Sequence, residues 1–146
     1  MKRLSPLVHP KMGVRFSPYS FVKSTDRVYT PAQLTNAMSD TTKYQWGAYD
    51  GSGKPINLTF SEYFTKFVYS REFNAAPVVT FNQEVGKGNM LNNAFVFYSG
   101  AIIVEYHYPG FDPQYGGLDW ESLRLVFEYL GGKWYLIGII HASWTI

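Results

Sequence analysis

The chain of 146 residues contains no cysteine. Disulfide bonds, thiolate catalysis and every cysteine-containing metal site are therefore excluded. Charged residues are also scarce, at 16% against 46% apolar residues, which is the balance of a folded chain. No stretch approaches the roughly 20 apolar residues of a membrane-spanning helix, and the N-terminus has no apolar signal-peptide core. The length predicts one domain over residues 1–146.

Positive charge is concentrated at the start of the chain, although the net charge is only +2. The cations within residues 1–27 are Lys2, Arg3, Lys11, Arg15, Lys23 and Arg27. They are dispersed rather than clustered, which favours a solvated edge over a nucleic-acid or membrane-binding arm. The aromatic residues, at 18% of the chain, lack interleaved cations in the C-terminal half, so nucleic-acid binding is not expected.

Two capping boxes predict short helices. Thr30 and Gln33 flank a proline at the first helical position, and this helix is expected to end near Met38. Thr59 and Glu62 form the second box. Apolar side chains recur behind it at the spacing of a core-facing helix: Phe60, Tyr63, Phe64, Phe67 and Val68.

Most of the remaining chain has the pattern of β-structure. Strands are predicted over 43–49, 77–83 and 101–108, with a turn at 50–55, a short helix within 90–98 and an irregular loop over 109–119. Residues 1–10 are interpreted as the end of a truncated helix. This interpretation rests on Leu4, Leu7 and Val8, which share helical spacing, whereas Pro6 weakens it.

The C-terminal segment carries the clearest pattern, a β-hairpin around the dipeptide 131–132. Apolar and polar residues alternate on both sides of this Gly-Gly turn. An uninterrupted register would place Leu123 opposite Ile140 and Ser122 opposite His141. If the strand over 101–108 lies beside 120–130, its Glu105 falls near Arg124.

This register predicts a polar cluster on one sheet face, made of Glu105, His107 and His141 with Ser122 and Arg124. Two imidazoles and a carboxylate are able to hold a divalent metal or to act as a general base. The pattern favours the alternative, a polar sheet face with a Glu105–Arg124 ion pair, because a Glu-x-His segment is common on strands. No metal or cofactor motif is complete. In particular, the glycine-containing turn at 50–54 matches neither a phosphate loop nor a nucleophile elbow.

A second group of residues is a candidate for ligand binding. Aromatic side chains around the 109–119 loop and the last strand are suited to stacking on sugars or other ring ligands. Two arginines in apolar or polar-cluster settings are candidates for binding an anion or for structural pairing. The residues are Arg15, Tyr108, Phe111, Tyr115, Trp120, Arg124 and Trp144. The alternative is that they form the core and its rim.

Five segments together resemble a group of bacterial envelope or lipoprotein domains with no assigned activity. They are Val-His-Pro at 8–10, Gly-Val-Arg-Phe-Ser-Pro-Tyr at 13–19, Trp-Gly-Ala-Tyr-Asp-Gly-Ser-Gly at 46–53, Glu-Tyr-His-Tyr-Pro-Gly-Phe-Asp-Pro at 105–113 and Gly-Lys-Trp-Tyr-Leu at 132–136 with His141 and Trp144. The resemblance implies export to the cell envelope, with a cytoplasmic location as the alternative. The last hairpin is also similar to that of NTF2-like (cystatin-like) domains, in which a curved sheet wraps a helix.

These observations predict one α+β domain with a strongly twisted antiparallel sheet of about five or six strands and two or three short helices. An NTF2-like cone is the first choice and a β-barrel-like roll the second. The expected function is a non-catalytic, extracytoplasmic binding or interaction domain for a small molecule, a glycan or a protein, without a cofactor. The alternative is a small pocket enzyme, hydrolase- or isomerase-like, that uses Glu105, His107 and His141. A homodimer is compatible with the sequence.

Overall fold

The computed structural model describes residues 1–145 and shows a six-stranded sheet, a separate two-stranded hairpin and short helices. The strands are β1 (Val14–Ser17), β2 (Arg27–Tyr29), β3 (Tyr44–Ala48), β4 (Pro55–Leu58), β5 (Val78–Phe81), β6 (Ile102–Tyr108), β7 (Glu121–Leu130) and β8 (Lys133–Ser143). The α-helices are α1 (Pro31–Thr35), α2 (Phe60–Tyr63) and α3 (Ala94–Phe97). The predicted α+β class is confirmed.

The large sheet has the strand order β2-β1-β8-β7-β6-β5, and β3 pairs with β4 in the small one. Strands β2 and β5 form open edges, so the strands of residues 1–145 do not close into a barrel. All pairs are antiparallel except β1 with β8, which run parallel with Ser17 opposite Ile140. This parallel pair departs from the antiparallel pattern expected from the sequence.

Both predicted capping boxes are confirmed. The Thr30 and Thr59 side chains accept hydrogen bonds from the backbone N–H groups of Gln33 and Glu62, whose own side chains accept from the cap N–H groups. Helix α1 is followed by a 3-10 turn, Ala37–Ser39, and α2 continues as a π-helical turn, Phe64–Val68. Three further 3-10 turns cover Ser5–Leu7, Phe73–Ala75 and Pro113–Tyr115.

The main core lies between one face of the large sheet and the layer formed by α1, α2 and the β3–β4 hairpin. Helix α2 and its π-helical extension bury four of the five residues that the helical spacing predicted, Phe60, Tyr63, Phe67 and Val68, whereas Phe64 is only partly buried. Trp46 of β3 stacks on Tyr63 with ring centroids 3.9 Å apart. Burial of each such side chain contributes about 1.5–3 kcal/mol of hydrophobic free energy, so aromatic packing holds this layer on the sheet.

A smaller core covers the opposite face of the sheet. There Ala94 and Tyr98, in and after α3, pack with Val22 against Val126 of β7 and Ile140 of β8. Gly138 of β8 faces the Tyr98 ring, because a Cβ placed on it would lie 2.7 Å from Tyr98 Oη. The sheet is therefore covered on both faces near β7 and β8.

The β7–β8 hairpin has the predicted register next to its turn but not beyond it. Tyr129 pairs with Trp134 and Phe127 with Leu136, as predicted. A β-bulge then shifts the register between Val126 and Phe127, so that Leu123 lies opposite His141. The predicted pairing of Ser122 with His141 is wrong, because the extra residue of a bulge turns every following side chain to the other face.

Candidate functional site

The predicted cluster of two histidines and a glutamate is divided between the two faces of the sheet. Glu105 and His107 share one face with Arg124 and Ser122, as predicted. The bulge moves His141 to the opposite face, where its ring packs edge-on against Phe67 of the α2 layer. The predicted grouping of His107 with His141 is therefore wrong. Within residues 1–145, no three His, Asp or Glu side chains are placed to hold a metal ion.

The buried Glu105–Arg124 ion pair holds a loop onto the sheet. Arg124 Nε donates to Glu105 Oε1 at 3.0 Å, and both side chains are about 1% exposed. Glu105 also accepts from the backbone N–H groups of Val85 and Gly86, while Arg124 Nη2 donates to the carbonyl of Gly86. These contacts fasten residues 85–86 to the strands that carry Glu105 and Arg124.

His107 belongs to the same polar layer. Its Nδ1 lies 2.8 Å from Ser122 Oγ, and its ring packs against Trp120 with centroids 5.8 Å apart. Burial lowers the pKa of His107 below its ordinary value, partly offset by the neighbouring Glu105 charge. Trp120, a candidate for ligand binding in the sequence, is itself buried, because it lies against the glycines of the 86–88 loop.

The other predicted ligand-binding residues lie in three separate places. Tyr108 and Phe111 pack together, and the Arg71 guanidinium lies 4.2 Å from the centroid of the Phe111 ring. Tyr115 is exposed in the loop after Phe111. Arg15 donates to the carbonyls of Lys23, Ser24 and Asp26, and lies over the Phe97 ring. The structure does not bring these residues into one site with Trp144.

Trp144 instead borders a cleft at the carboxyl ends of β1 and β8. These two strands are parallel, so their carboxyl ends lie at the same end of the sheet. The residues that follow them, Pro18 and Trp144, therefore leave the sheet on that side. His141 Nδ1 lies 3.2 Å from the carbonyl oxygen of Pro18 and ties the two ends together. The parallel pairing thus creates a site that neither strand would form alone.

The cleft consists of a larger and a smaller pocket that share Tyr19, Tyr49 and Asp50 in their walls. The larger pocket, of about 560 Å³, lies among the 18–26 loop, the β3–β4 turn and Met90. The smaller pocket, of about 280 Å³, is lined by residues of the π-helical turn and the end of β8: Lys66, Phe67, His141, Ser143, Trp144 and Thr145.

Polar groups in the cleft are fixed by hydrogen bonds to one another. The backbone N–H of Asp50 donates to Tyr19 Oη at 3.0 Å, and Lys66 Nζ donates to Tyr49 Oη at 3.0 Å. Lys66 Nζ also lies 4.5 Å from the centroid of the Tyr49 ring. Burial raises the pKa of the Tyr19 phenol, so this group stays protonated and able to donate at neutral pH. The cleft therefore presents hydroxyl, ammonium and carboxylate groups beside aromatic rings.

His141, which lines the smaller pocket, carries a buried nitrogen atom without a hydrogen-bond partner. The side chain is 5% exposed, and within residues 1–145 nothing donates to or accepts from Nε2. A carbonyl oxygen only accepts, so the contact with Pro18 places the proton on Nδ1 and leaves Nε2 as an acceptor. Burial lowers the pKa of His141, which keeps the ring neutral at pH 7.

Sequence reasoning selected His141 and Trp144 but missed Tyr19, Tyr49 and Lys66. The sequence predicts Tyr49 only as the last residue of a strand and Asp50 only as the first residue of its turn, and the structure places both beside the β3–β4 turn. The signal that joins these residues is the parallel pairing of β1 with β8. The segment 14–17 is too short for its hydrophobic periodicity to predict which strand it pairs with, or in which direction.

A separate apolar cavity of about 280 Å³ lies between the α2 layer and the large sheet. Phe64, Leu123 and Ile139 are among its lining residues. It does not include the polar residues of the cleft, so the two sites are chemically distinct.

No family model, curated protein or solved structure matches this chain. Among residues 1–145, every helix is too short, or not apolar enough, to cross a membrane.

Proposed function

We propose that this chain is a non-catalytic binding domain whose ligand site is the cleft at the carboxyl ends of β1 and β8. The observation that carries the proposal is the shared wall of Tyr19, Tyr49 and Asp50, which joins two pockets into one concave site. A concave site with aromatic walls and a few fixed polar groups is the usual form of a small-molecule site.

The same geometry favours binding over catalysis. An acid–base pair needs two titratable groups within hydrogen-bonding reach of one reacting atom. Glu105 and His107, which an enzyme was expected to combine with His141, face the other side of the sheet. The resemblance to exported envelope domains adds the proposal that this binding takes place outside the cytoplasm.

The test is a fragment screen followed by protein-observed NMR on the ¹⁵N-labelled chain. Ligands are expected to shift the amide signals of Tyr49, Asp50 and Ser143 and the indole signal of Trp144. Replacing Trp144 by Ala is expected to weaken these ligands about tenfold or more, since a lost aromatic wall removes a large contact area.

Trp134 provides a matched control for Trp144. It is also an exposed tryptophan of the last hairpin, but it lies beside the turn at the opposite end of β8. The Trp134→Ala variant is expected to bind the fragments as the unaltered chain does. Fragments that shift only signals around the apolar cavity or the 109–119 loop, or no signals at all, would contradict the proposed site.

A further inference from the structure

The face of the large sheet that carries the main core is covered unevenly. The α2 layer packs over the carboxyl end of β8, where Phe67 contacts His141. Toward the β7–β8 turn and the free edge of β5, the same face carries large apolar side chains that remain exposed: Val79, Phe81, Tyr129 and Trp134. These four residues define the open face of the sheet.

The strand registers place the exposed side chains of the open face on one side of the sheet. Directly opposed residues of neighbouring strands point to the same face. Phe81 of β5 is opposite Val104 of β6, which is opposite Leu125 of β7. Tyr129 follows Leu125 on the same side of β7 and is opposite Trp134 of β8. The exposed residues therefore belong to one surface that crosses four strands.

The open face is large enough to form a protein interface. Phe81, Tyr129 and Trp134 are 70%, 58% and 46% exposed. An aromatic side chain buries about 150–250 Å² when fully covered, so these three leave roughly 300–400 Å² uncovered. A standard interface covers about 800 Å² on each partner, and somewhat more than half of that area is apolar. Three side chains therefore supply most of the apolar area that a stable dimer needs.

The same face of the sheet also contains a cavity that fits an aromatic ring. The apolar cavity of about 280 Å³ has buried residues at its floor, among them Leu123 and Ile139, and the half-buried Leu125 in its wall. A cavity of about 150 Å³ is large enough to hold benzene. The polar lining groups, the Tyr69 hydroxyl and the Asn74 amide, hydrogen-bond to each other. The cavity therefore suits an apolar group that needs no hydrogen bond.

The absence of charge limits what can cover the open face. All side chains of β5 to β8 that point to this side between Phe81 and Trp134 are apolar or aromatic. Glu121, at the far end of the same side, is already paired with Arg71. Nucleic acids and anionic membranes are attracted by cations, which these positions do not provide. The complementary surface is another uncharged aromatic face, and a second copy of this chain carries one.

From the exposed aromatic residues, the neighbouring cavity and the absence of charge, we infer that the open face is the interface of a symmetric homodimer. Phe81 of each copy inserts into the apolar cavity of the other. A two-fold axis between ring and cavity makes the two contacts identical and closes the assembly at two copies. Phe81 is the most exposed aromatic residue within 1–145, and a ring seated in a partner's pocket is the usual anchor of an interface.

This inference goes beyond the proposed ligand site and does not depend on it. The open face lies toward the amino end of β8, which carries Trp134, whereas the cleft lies at the carboxyl end of the same strand. A failure of one proposal therefore leaves the other untouched.

The first experiment is sedimentation velocity on the unaltered chain and two variants. The unaltered chain is expected to form dimers at micromolar concentration and to dissociate on dilution. Phe81→Asp places a charge on the exposed ring position, and association is expected to weaken about thirtyfold or more, as when an interface loses its main anchor. Val96→Asp is the matched control, because Val96 is an exposed apolar residue of α3, on the opposite face of the sheet. It is expected to dimerise as the unaltered chain does.

The second experiment locates the interface without altering the sequence. In an equal mixture of ¹³C-labelled and unlabelled chain, isotope-filtered NOE spectra detect only proton pairs that belong to different copies. The ring protons of Phe81 are expected to show such NOEs to the methyl groups of Leu123, Leu125 and Ile139, which line the cavity.

Each possible result supports or overturns the homodimer. A chain that stays monomeric at submillimolar concentration overturns it, as does a folded Phe81→Asp variant that dimerises normally. If Phe81→Asp does not fold, the NOE spectra decide, and intermolecular NOEs that leave out Phe81 overturn the inference. The chain is also sedimented with vesicles of phosphatidylcholine and phosphatidylserine. Vesicle binding that Phe81→Asp abolishes, without a dimer in solution, would assign the open face to a membrane instead.

Discussion

At the scale of single residues, Gly138 and Tyr98 show how closely the smaller core is packed. An added Cβ on Gly138 would lie 2.7 Å from Tyr98 Oη and 2.9 Å from Cζ. Burial raises the pKa of Tyr98, and within residues 1–145 its hydroxyl has no hydrogen-bond partner. The phenolic oxygen thus occupies the space that a side chain at position 138 would need.

We predict that Gly138→Ala destabilises the chain by about 1–3 kcal/mol, the usual cost of overpacking a core. Tyr98→Phe alone is expected to be neutral or stabilising, because it removes a buried hydroxyl that lacks a partner. In the Gly138→Ala, Tyr98→Phe double variant, part of the loss is expected to be recovered. Urea unfolding of the four proteins measures this coupling, and strictly additive effects would show that Tyr98 is not the group displaced.

At the scale of elements, the ion pair of β6 and β7 fastens the 83–93 loop. Glu105 accepts from two backbone N–H groups of that loop, and Arg124 donates to one of its carbonyl groups. The neighbouring Lys87 is exposed. Residues 83–89 of this loop form no helix or strand. The side chains of β6 and β7 therefore determine how tightly the loop is held.

We predict that Glu105→Gln destabilises the chain by about 3–5 kcal/mol, because Arg124 is left as an uncompensated buried charge. The loop is expected to open more often, so trypsin should cleave after Lys87 faster than in the unaltered chain. Glu72→Gln is a suitable control, since this exposed residue uses only its backbone carbonyl in a described contact. Cleavage at an unchanged rate in Glu105→Gln would mean that the ion pair does not hold the loop.

The same elements show what the sequence could predict. Helix α2 and the Glu105–Arg124 pair followed from local patterns: a capping box, helical spacing and alternation along adjacent strands. The bulge in β8 could not be predicted, because apolar residues at 136–140 fit either face of a sheet that is covered on both sides. The position of His141, and with it the cleft, depends on that one extra residue.

At the scale of the whole molecule, buried histidines link stability to pH. His107 and His141 lie on opposite faces of the sheet, and burial lowers the pKa of both below the ordinary value of 6.5. The unfolded chain then binds more protons than the folded chain at mildly acid pH. The contribution of the two histidines to the free energy of unfolding is therefore at its maximum above about pH 6.5. It falls as the pH drops from there toward the lowered pKa values of the folded chain.

We predict that unfolding by urea at pH 5.5 requires less denaturant than at pH 7.5. Near His107 the charges are Glu105, which favours protonation, and Arg124, which opposes it. In His107→Gln the difference between the two pH values is expected to shrink, because one of the two linked groups is gone. Burial raises the pKa of Asp26 above its ordinary value of 3.8. Protonation of this carboxyl group therefore increases the free energy of unfolding as the pH falls toward 3.8, which is opposite to the effect of the histidines. A pH difference as large in His107→Gln as in the unaltered chain would exclude His107 as a source.

The parallel pairing of β1 with β8 also constrains the order in which the chain can fold. Strand β8 lies between β1 and β7 in the sheet, yet it is synthesised after the other five strands of that sheet. Until it emerges, nothing joins one half of the sheet, β1 and β2, to the other half, β5, β6 and β7, and any pairing formed earlier leaves the edges next to β8 unpaired. Such edges are templates for wrong pairing between chains. Completion of the fold, the cleft and protection from aggregation therefore all depend on a single late step, the insertion of residues 133–143 between the two halves.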